Sequence, residues 1–242
     1  MRPFTAVFDS GVGGLTVLRA LTRRCPGERF GYFGDNANAP YGSRAPEEIE
    51  ELVFAAFGRL SRMPLKAAVV ACNTATALCI DRLRASFPFP VVGVEPAVRP
   101  AARLGGRALL LATRATLASA RVKALLARTG GAVDVFCPEE LAGEVERHIF
   151  DLSAAGVEAC LAGLPRGVYD ACVLGCTHYV FVAERISAAL GCPVFDGNTG
   201  TADHLAKILN ICSENCKKTP KNAVFFLGTH AEHNKRVFFS LK

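Results

Sequence analysis

No tryptophan occurs among the 242 residues, and the basic residues are scattered rather than interleaved with aromatics, which excludes a nucleic-acid-binding face. No apolar run approaches the roughly 18 residues of a membrane span. The longest, residues 67–80, is interrupted by Asn73, Thr74 and Thr76. No secretory h-region fits before Asp9, because one arginine is followed only by Phe4-Thr5-Ala6-Val7-Phe8. Glycine and proline, at 22 and 13 residues, are ordinary, so collagen-like and low-complexity chains are excluded. With half the residues hydrophobic and 21% charged, disorder is excluded too. What is left is a globular, cytoplasmic protein of one large domain or two smaller lobes, with neither a nucleic acid nor a membrane as partner.

Ten cysteines are present. In a short secreted chain they would mark a disulfide framework, but cytosolic thiols stay reduced. Cys72, Cys79 and Cys172 lie inside apolar runs, so most of the ten are expected to be small buried hydrophobes, leaving a few for chemistry. The net charge of +6 suits an enzyme that steers a small anion.

Apolar, strand-like runs at residues 5–8, 30–33, 67–71, 91–94, 108–111, 133–136, 171–174 and 194–195 alternate with helical patterns at 15–24, 46–62, 76–86, 116–128, 141–150 and 180–190. Strand–helix alternation predicts parallel sheets with helices on both faces, and uniformly apolar strands fit sheets covered on both sides. Prolines at Glu95-Pro96 and Arg99-Pro100 mark a lobe boundary. The expected fold is α/β with two similar lobes, each a mostly parallel sheet flanked by helices. They are related by a pseudo-two-fold, with the active site between them. Residues 1–95 with 205–242 form the first lobe and 96–204 the second. One more helix follows His204, and the apolar segments 224–227 and 237–239 are expected to dock back on the first lobe.

Val69-Val70-Ala71-Cys72-Asn73-Thr74 is echoed by Val173-Leu174-Gly175-Cys176-Thr177-His178, and Val7-Phe8-Asp9-Ser10 by Leu111-Ala112-Thr113-Arg114. Ligands of open α/β sheets bind beyond the carboxyl ends of strands. Asp9-Ser10-Gly11, Asp35-Asn36, Cys72-Asn73-Thr74 and Cys176-Thr177-His178 all fall there. A cysteine between a strand and a helix feels the helix N-terminus, which lowers its pKa from about 8.5 toward neutrality. Burial explains any one such cysteine; two in matching positions, each followed by polar donors, favour chemistry. Asn73, Thr74 and Thr177 supply donors suited to a carboxylate.

Asp9-Ser10-Gly11-Val12-Gly13-Gly14 falls short of a dinucleotide fingerprint, because Thr16 stands where the third glycine belongs and no ribose-binding acid follows at the right distance. The glycines instead suggest backbone N–H groups approaching a small anion. Asp9 is then a candidate catalytic carboxylate, or alternatively the N-cap of the helix from Leu15. Cys212, Cys216, His230 and His233 have a spacing outside the usual zinc patterns, so no metal is expected.

Five segments together resemble glutamate racemases of the aspartate/glutamate racemase family: residues 8–15, Gly34-Asp35-Asn36-Ala37-Asn38-Ala39-Pro40-Tyr41-Gly42, residues 71–77, Gly93-Val94-Glu95-Pro96 and Leu174-Gly175-Cys176-Thr177-His178-Tyr179. The resemblance covers about residues 4–200. It implies cofactor-independent racemisation of glutamate between two lobes, supplying D-glutamate for peptidoglycan. Two bases on opposite faces of the α-carbon are needed, one deprotonated and one protonated. By resemblance Cys72 takes the proton from D-glutamate and Cys176 from L-glutamate, with Asp9 beside Cys72 and His178 beside Cys176. Ser10, Asp35, Asn36, Tyr41, Gly42, Asn73, Thr74, Thr116 and Thr177 match positions lining the glutamate site. The family's second acidic residue aligns with Glu146, though Glu144 is also open. The resemblance allows a homodimer without marking its surface. No extension precedes the first strand, which argues against the form activated by a cell-wall precursor.

Three other readings stand beside this one: an aspartate racemase of the same fold, a non-catalytic amino-acid-binding protein, and a Cys-His acyl-transfer enzyme using Cys176 and His178. The last leaves Cys72 unexplained and asks a residue two positions away on the same loop to act as base.

Overall fold

The computed structural model describes residues 2–211 and 223–241. In chain order the described strands are β1 (Phe4–Asp9), β2 (Arg29–Gly34), β3 (Leu65–Val70), β4 (Val91–Gly93), β5 (Ala108–Leu111), β6 (Val133–Phe136), β7 (Ala171–Leu174), β8 (Val194–Phe195) and β9 (Ala223–Leu227). The helices are α1 (Gly14–Arg24), α2 (Pro46–Leu60), α3 (Asn73–Ser86), α4 (Val98–Ala102), α5 (Arg114–Ala118), α6 (Ala120–Ala127), α7 (Leu141–Arg147), α8 (Val157–Cys160), α9 (Ala183–Leu190), α10 (Asn198–Ile208) and α11 (Ala231–Ser240).

Every strand pair is parallel, in two sheets ordered β4-β3-β1-β2-β9 and β6-β5-β7-β8. Numbered from its own first strand, each sheet has the order 2-1-3-4, with β9 added at one edge of the first. The chain is thus two similar α/β lobes. β1, β5 and β7 are buried along their whole length, as expected of strands covered on both faces. One apolar cluster runs from Val7 and Leu18 of the first lobe to Leu109 and Leu174 of the second, and α1 packs on α10.

Helix ends depart from the periodicity where capping chemistry intervenes. The pattern over 116–128 is two helices, because Ser119 turns extended (φ −64°, ψ 143°) and its hydroxyl accepts from Val122 N at 3.2 Å. The pattern over 180–190 begins as a 3-10 turn, Thr177–Val182, before α9. The last helix before the tail starts at Asn198 rather than after His204. The apolar segment at 224–227 is part of β9, whose Phe225 and Phe226 pair with Gly31 and Tyr32.

The equivalence of the sheets fixes the placement of chemistry. Cys72 lies two residues past the end of β3, and Cys176 two past the end of β7, the corresponding strand of the other lobe.

Candidate active site

Cys72 is the N-cap of α3, where its sulfur accepts the Ala75 N–H at 3.5 Å and its thiol lies 3.6 Å from Ser10 Oγ. Asp9, at the end of β1, is fully buried; Oδ1 accepts Gly11 N–H at 2.8 Å, and Oδ2 accepts the Thr177 hydroxyl of the other lobe at 3.2 Å. It is not the cap of α1, whose N-cap is Gly13. The expected lowering of the Cys72 pKa does not occur. Burial, reinforced by the Asp9 charge, outweighs the helix N–H and pushes the thiol up to about 12. Burial also holds the Asp9 carboxyl above the ordinary range, against the pull of His178 and Gly11 N–H.

In the other lobe, Cys176 Sγ is 3.7 Å from His178 Nδ1, and His178 Nε2 is 2.7 Å from Glu146 Oε1. His178 thus reaches Cys176 although only two residues separate them, which removes one objection to the Cys-His reading. Burial disfavours a charged imidazole. The bonds to Cys176 and Glu146 outweigh it and hold His178 well above its ordinary value. Glu146 is partly desolvated, yet His178 and the Val12 N–H hold it below the usual range. The pair is therefore imidazolium and carboxylate. Glu144, the other candidate acid, turns away, accepting Gly156 N–H at 2.6 Å and pairing with Arg147.

The glycine loop explains how the half-sites meet. A Cβ on Gly11 would lie 1.9 Å from Glu146 Oε1, and one on Gly13 would lie 2.5 Å from Thr177 Oγ1 and 2.8 Å from His178 Nδ1. Neither glycine has positive φ, so the requirement is space. The backbone donors of this loop do serve anions, but those anions are protein carboxylates: Gly11 N–H meets Asp9, and Val12 N–H meets Glu146 Oε1 at 2.8 Å. The expectation of a bound small anion at the loop is corrected accordingly.

Between the lobes lies a small, nearly closed cavity of about 10 Å³, room for about one water molecule, so a substrate enters only when the lobes part. Cys72, Ser10, Tyr41, Gly42, Asn73 and Thr74 line it from the first lobe, and Cys176, Thr177 and His178 from the second. Asn73 Nδ2 is buried with no hydrogen-bond partner, a free donor at the wall. The remaining expected residues stand behind this surface. Asp9 and Glu146 act through neighbours, and Thr116 joins Thr74 and Thr113 in a hydroxyl cluster at 2.8–3.1 Å. Asp35 accepts the Tyr41 hydroxyl at 2.6 Å, and Asn36 Oδ1 accepts from Asn234 of α11 at 2.9 Å.

Sequence reasoning missed three contributors. Thr113 lines the cavity and was signalled by its place two residues past β5 and by the echo that aligns it with Asp9, though not as a site residue. Asn234 belongs to a tail without a recognisable motif. Tyr32 is hidden in an apolar strand, where nothing marks its hydroxyl. Cys212 and Cys216 lie outside the described residues, so the four-ligand zinc pattern has no structural counterpart to report.

The charged pair makes stability depend on pH. His178, raised above 6.5, contributes fully below that value and loses its contribution as pH climbs through the folded pKa; Glu146, lowered from 4.5, contributes above that value and loses it as pH falls. The melting-temperature gap between the unmodified protein and His178→Asn is therefore largest between about pH 4.5 and 6.5 and narrows toward alkaline pH. Thermal melts at several pH values measure it, at roughly 2–4 °C per kcal/mol for a chain of this size.

Residues 13–205 match the sequence model of the family described as Asp/Glu/Hydantoin racemase. A curated glutamate racemase of Clostridium novyi is 40% identical over 212 residues, covering 84% of this chain and 82% of the relative. The structure of glutamate racemase isoform RacE1 from Bacillus anthracis superposes with a TM-score of 0.79 at 34% identity, covering 98% of this chain and 91% of that one. Escherichia coli glutamate racemase, solved in complex with L-glutamate and the activator UDP-MurNAc-ala, gives 0.79 at 35% identity, covering 95% and 90%.

Proposed function

Since the chain belongs to the Asp/Glu/Hydantoin racemase family and is an amino-acid racemase, we propose that it interconverts L- and D-glutamate without a cofactor, by proton transfer at two thiols. The observation that carries this reading is the pair Cys72 and Cys176, at equivalent positions of the two lobes and open to one cavity.

With D-glutamate bound, the Cys72 thiolate takes the α-proton, and the electrons of the broken C–H bond spread into the α-carboxylate. The Cys176 thiol returns a proton to the opposite face. Cys72 is left as thiol and Cys176 as thiolate, the form that accepts L-glutamate, so proton and charge balance over a cycle. A thiol pushed up to about 12 is a strong base once ionised. The substrate ammonium, beside Cys72 with the Asp9 carboxylate buried behind the cavity wall, supplies the positive charge that makes ionisation possible in a desolvated cavity. The unpartnered Asn73 amide and the Thr74 hydroxyl donate to substrate carboxylate oxygens, while the Thr177 hydroxyl is already given to Asp9. The imidazolium of His178, held by Glu146, stabilises a thiolate at Cys176. The same reading has the enzyme work in the cytoplasm and supply D-glutamate for peptidoglycan.

The test is deuterium incorporation. In D2O, either glutamate enantiomer gives product carrying deuterium at the α-carbon, followed by mass spectrometry alongside circular dichroism. Exchange of aspartate with none of glutamate overturns the substrate assignment; binding of glutamate without exchange overturns the catalytic one. The Cys176–His178–Glu146 chain also favours a second reading, thiol acyl transfer, and an acyl-enzyme trapped from a thioester would support that instead.

A further inference from the structure

We propose that Tyr32 is a positioning residue of the racemisation site: its hydroxyl fixes the Gly11–Val12 peptide so that the Val12 N–H holds Glu146 against His178. This rests on the two-thiol reading only for its consequence in rate; the hydrogen bonds stand without it.

Tyr32 sits in β2, fully buried. A phenylalanine would fill nearly the same space, so the hydroxyl requires a reason, and a buried hydroxyl requires a partner. That partner is Gly11 O, at 2.7 Å. The other end of the same planar peptide is the Val12 N–H, which donates to Glu146 Oε1 at 2.8 Å. Fixing the carbonyl therefore aims the N–H. The same Glu146 oxygen is 2.7 Å from His178 Nε2, whose Nδ1 is 3.7 Å from Cys176 Sγ. The Gly11 N–H, one peptide earlier, holds Asp9 on the Cys72 side. One phenol thus anchors the loop that serves both half-sites. A loop with glycines at 11, 13 and 14 has few side chains of its own to hold that orientation. Donation to the carbonyl also polarises the peptide and strengthens its N–H donor. Burial and the nearby Asp9 and Glu146 charges keep the phenol protonated, so it remains a donor.

The titratable groups facing the Glu146–His178 pair are Asp9 on β1, Tyr32 on β2, Cys176 at the end of β7 and His233 on α11, with Cys72 acting on Tyr32. Without the tie the Val12 N–H no longer pins Glu146 against the imidazolium. The Glu146 pKa moves up as it loses a donor, and that of His178 moves down as the carboxylate drifts away from it, narrowing the range in which both are charged.

Tyr32→Phe tests this. Its kcat/KM falls about tenfold in both directions, the worth of one hydrogen bond, and the pH profile narrows from both sides. A packing defect alone would lower the rate without moving either limb, so a folded variant with unmoved limbs overturns the proposal. NMR of the unmodified protein provides a second arm that needs neither the variant nor activity. The Val12 amide and Tyr32 ring resonances shift through the His178–Glu146 titration if the tie exists, and resonances flat through it overturn the proposal. If the unmodified protein exchanges no α-proton, the glutamate reading fails while the NMR arm still judges the tie.

Discussion

Replacing either Cys72 or Cys176 by serine abolishes racemisation in both directions. Serine is close in size and keeps the cavity wall, but its hydroxyl is far too weakly acidic to serve as base at neutral pH, and a positioned acid or base contributes on the order of 10²–10⁴ in rate. The loss is equal in the two directions for a thermodynamic reason. Enantiomers have equal free energy, so the equilibrium constant is one and kcat/KM for L to D must equal kcat/KM for D to L, in the variants as in the unmodified enzyme. Any asymmetry between the thiols can appear only as compensating changes in kcat and KM. Circular dichroism progress curves from each enantiomer measure this. Unmodified rates in Cys176→Ser would end the two-thiol assignment, and unequal kcat/KM values from the two sides would indicate that something other than racemisation is being followed.

The architecture was legible because buried parallel strands are apolar throughout, and the eight runs at residues 5–8 through 194–195 correspond to β1 through β8. The two cysteines were legible for the same reason, since a strand end is where an apolar run stops. Long-range consequences were not. Ser119 splits a helix whose apolar period continues across it. The sign of the Cys72 shift depends on how completely the surrounding lobes exclude water and on the Asp9 charge beside the thiol, which local spacing does not encode. Of the two acids in Leu141-Ala142-Gly143-Glu144-Val145-Glu146, only the contacts separate the one that meets His178 from the one that meets Gly156. The glycines were visible, but not the reason for them, because the groups they admit lie more than a hundred residues away.

That reason yields the second large effect. In Gly11→Ala the new methyl would occupy the place of Glu146 Oε1, 1.9 Å from its centre, with Glu146 Cδ at 2.9 Å and Ala39 Cβ at 3.1 Å. Either Glu146 leaves the Val12 N–H and His178, or the lobes separate. Both outcomes dismantle the support of Cys176, and kcat/KM falls by on the order of 10² or more, as for a misplaced catalytic group. The protein loses about 1–3 kcal/mol, the range for overpacking. Gly58→Ala is the contrast: on α2, with nothing within 4 Å of the added carbon, it raises stability by roughly 0.5–1 kcal/mol and leaves kcat/KM unchanged. Shortening the acid by one methylene gives the new methyl room. Gly11→Ala combined with Glu146→Asp is therefore more active than the product of the two single losses, the non-additivity expected of groups in direct contact. If the two losses simply multiply, Gly11 is small for some reason other than Glu146, and the loop does not bring the lobes together as described.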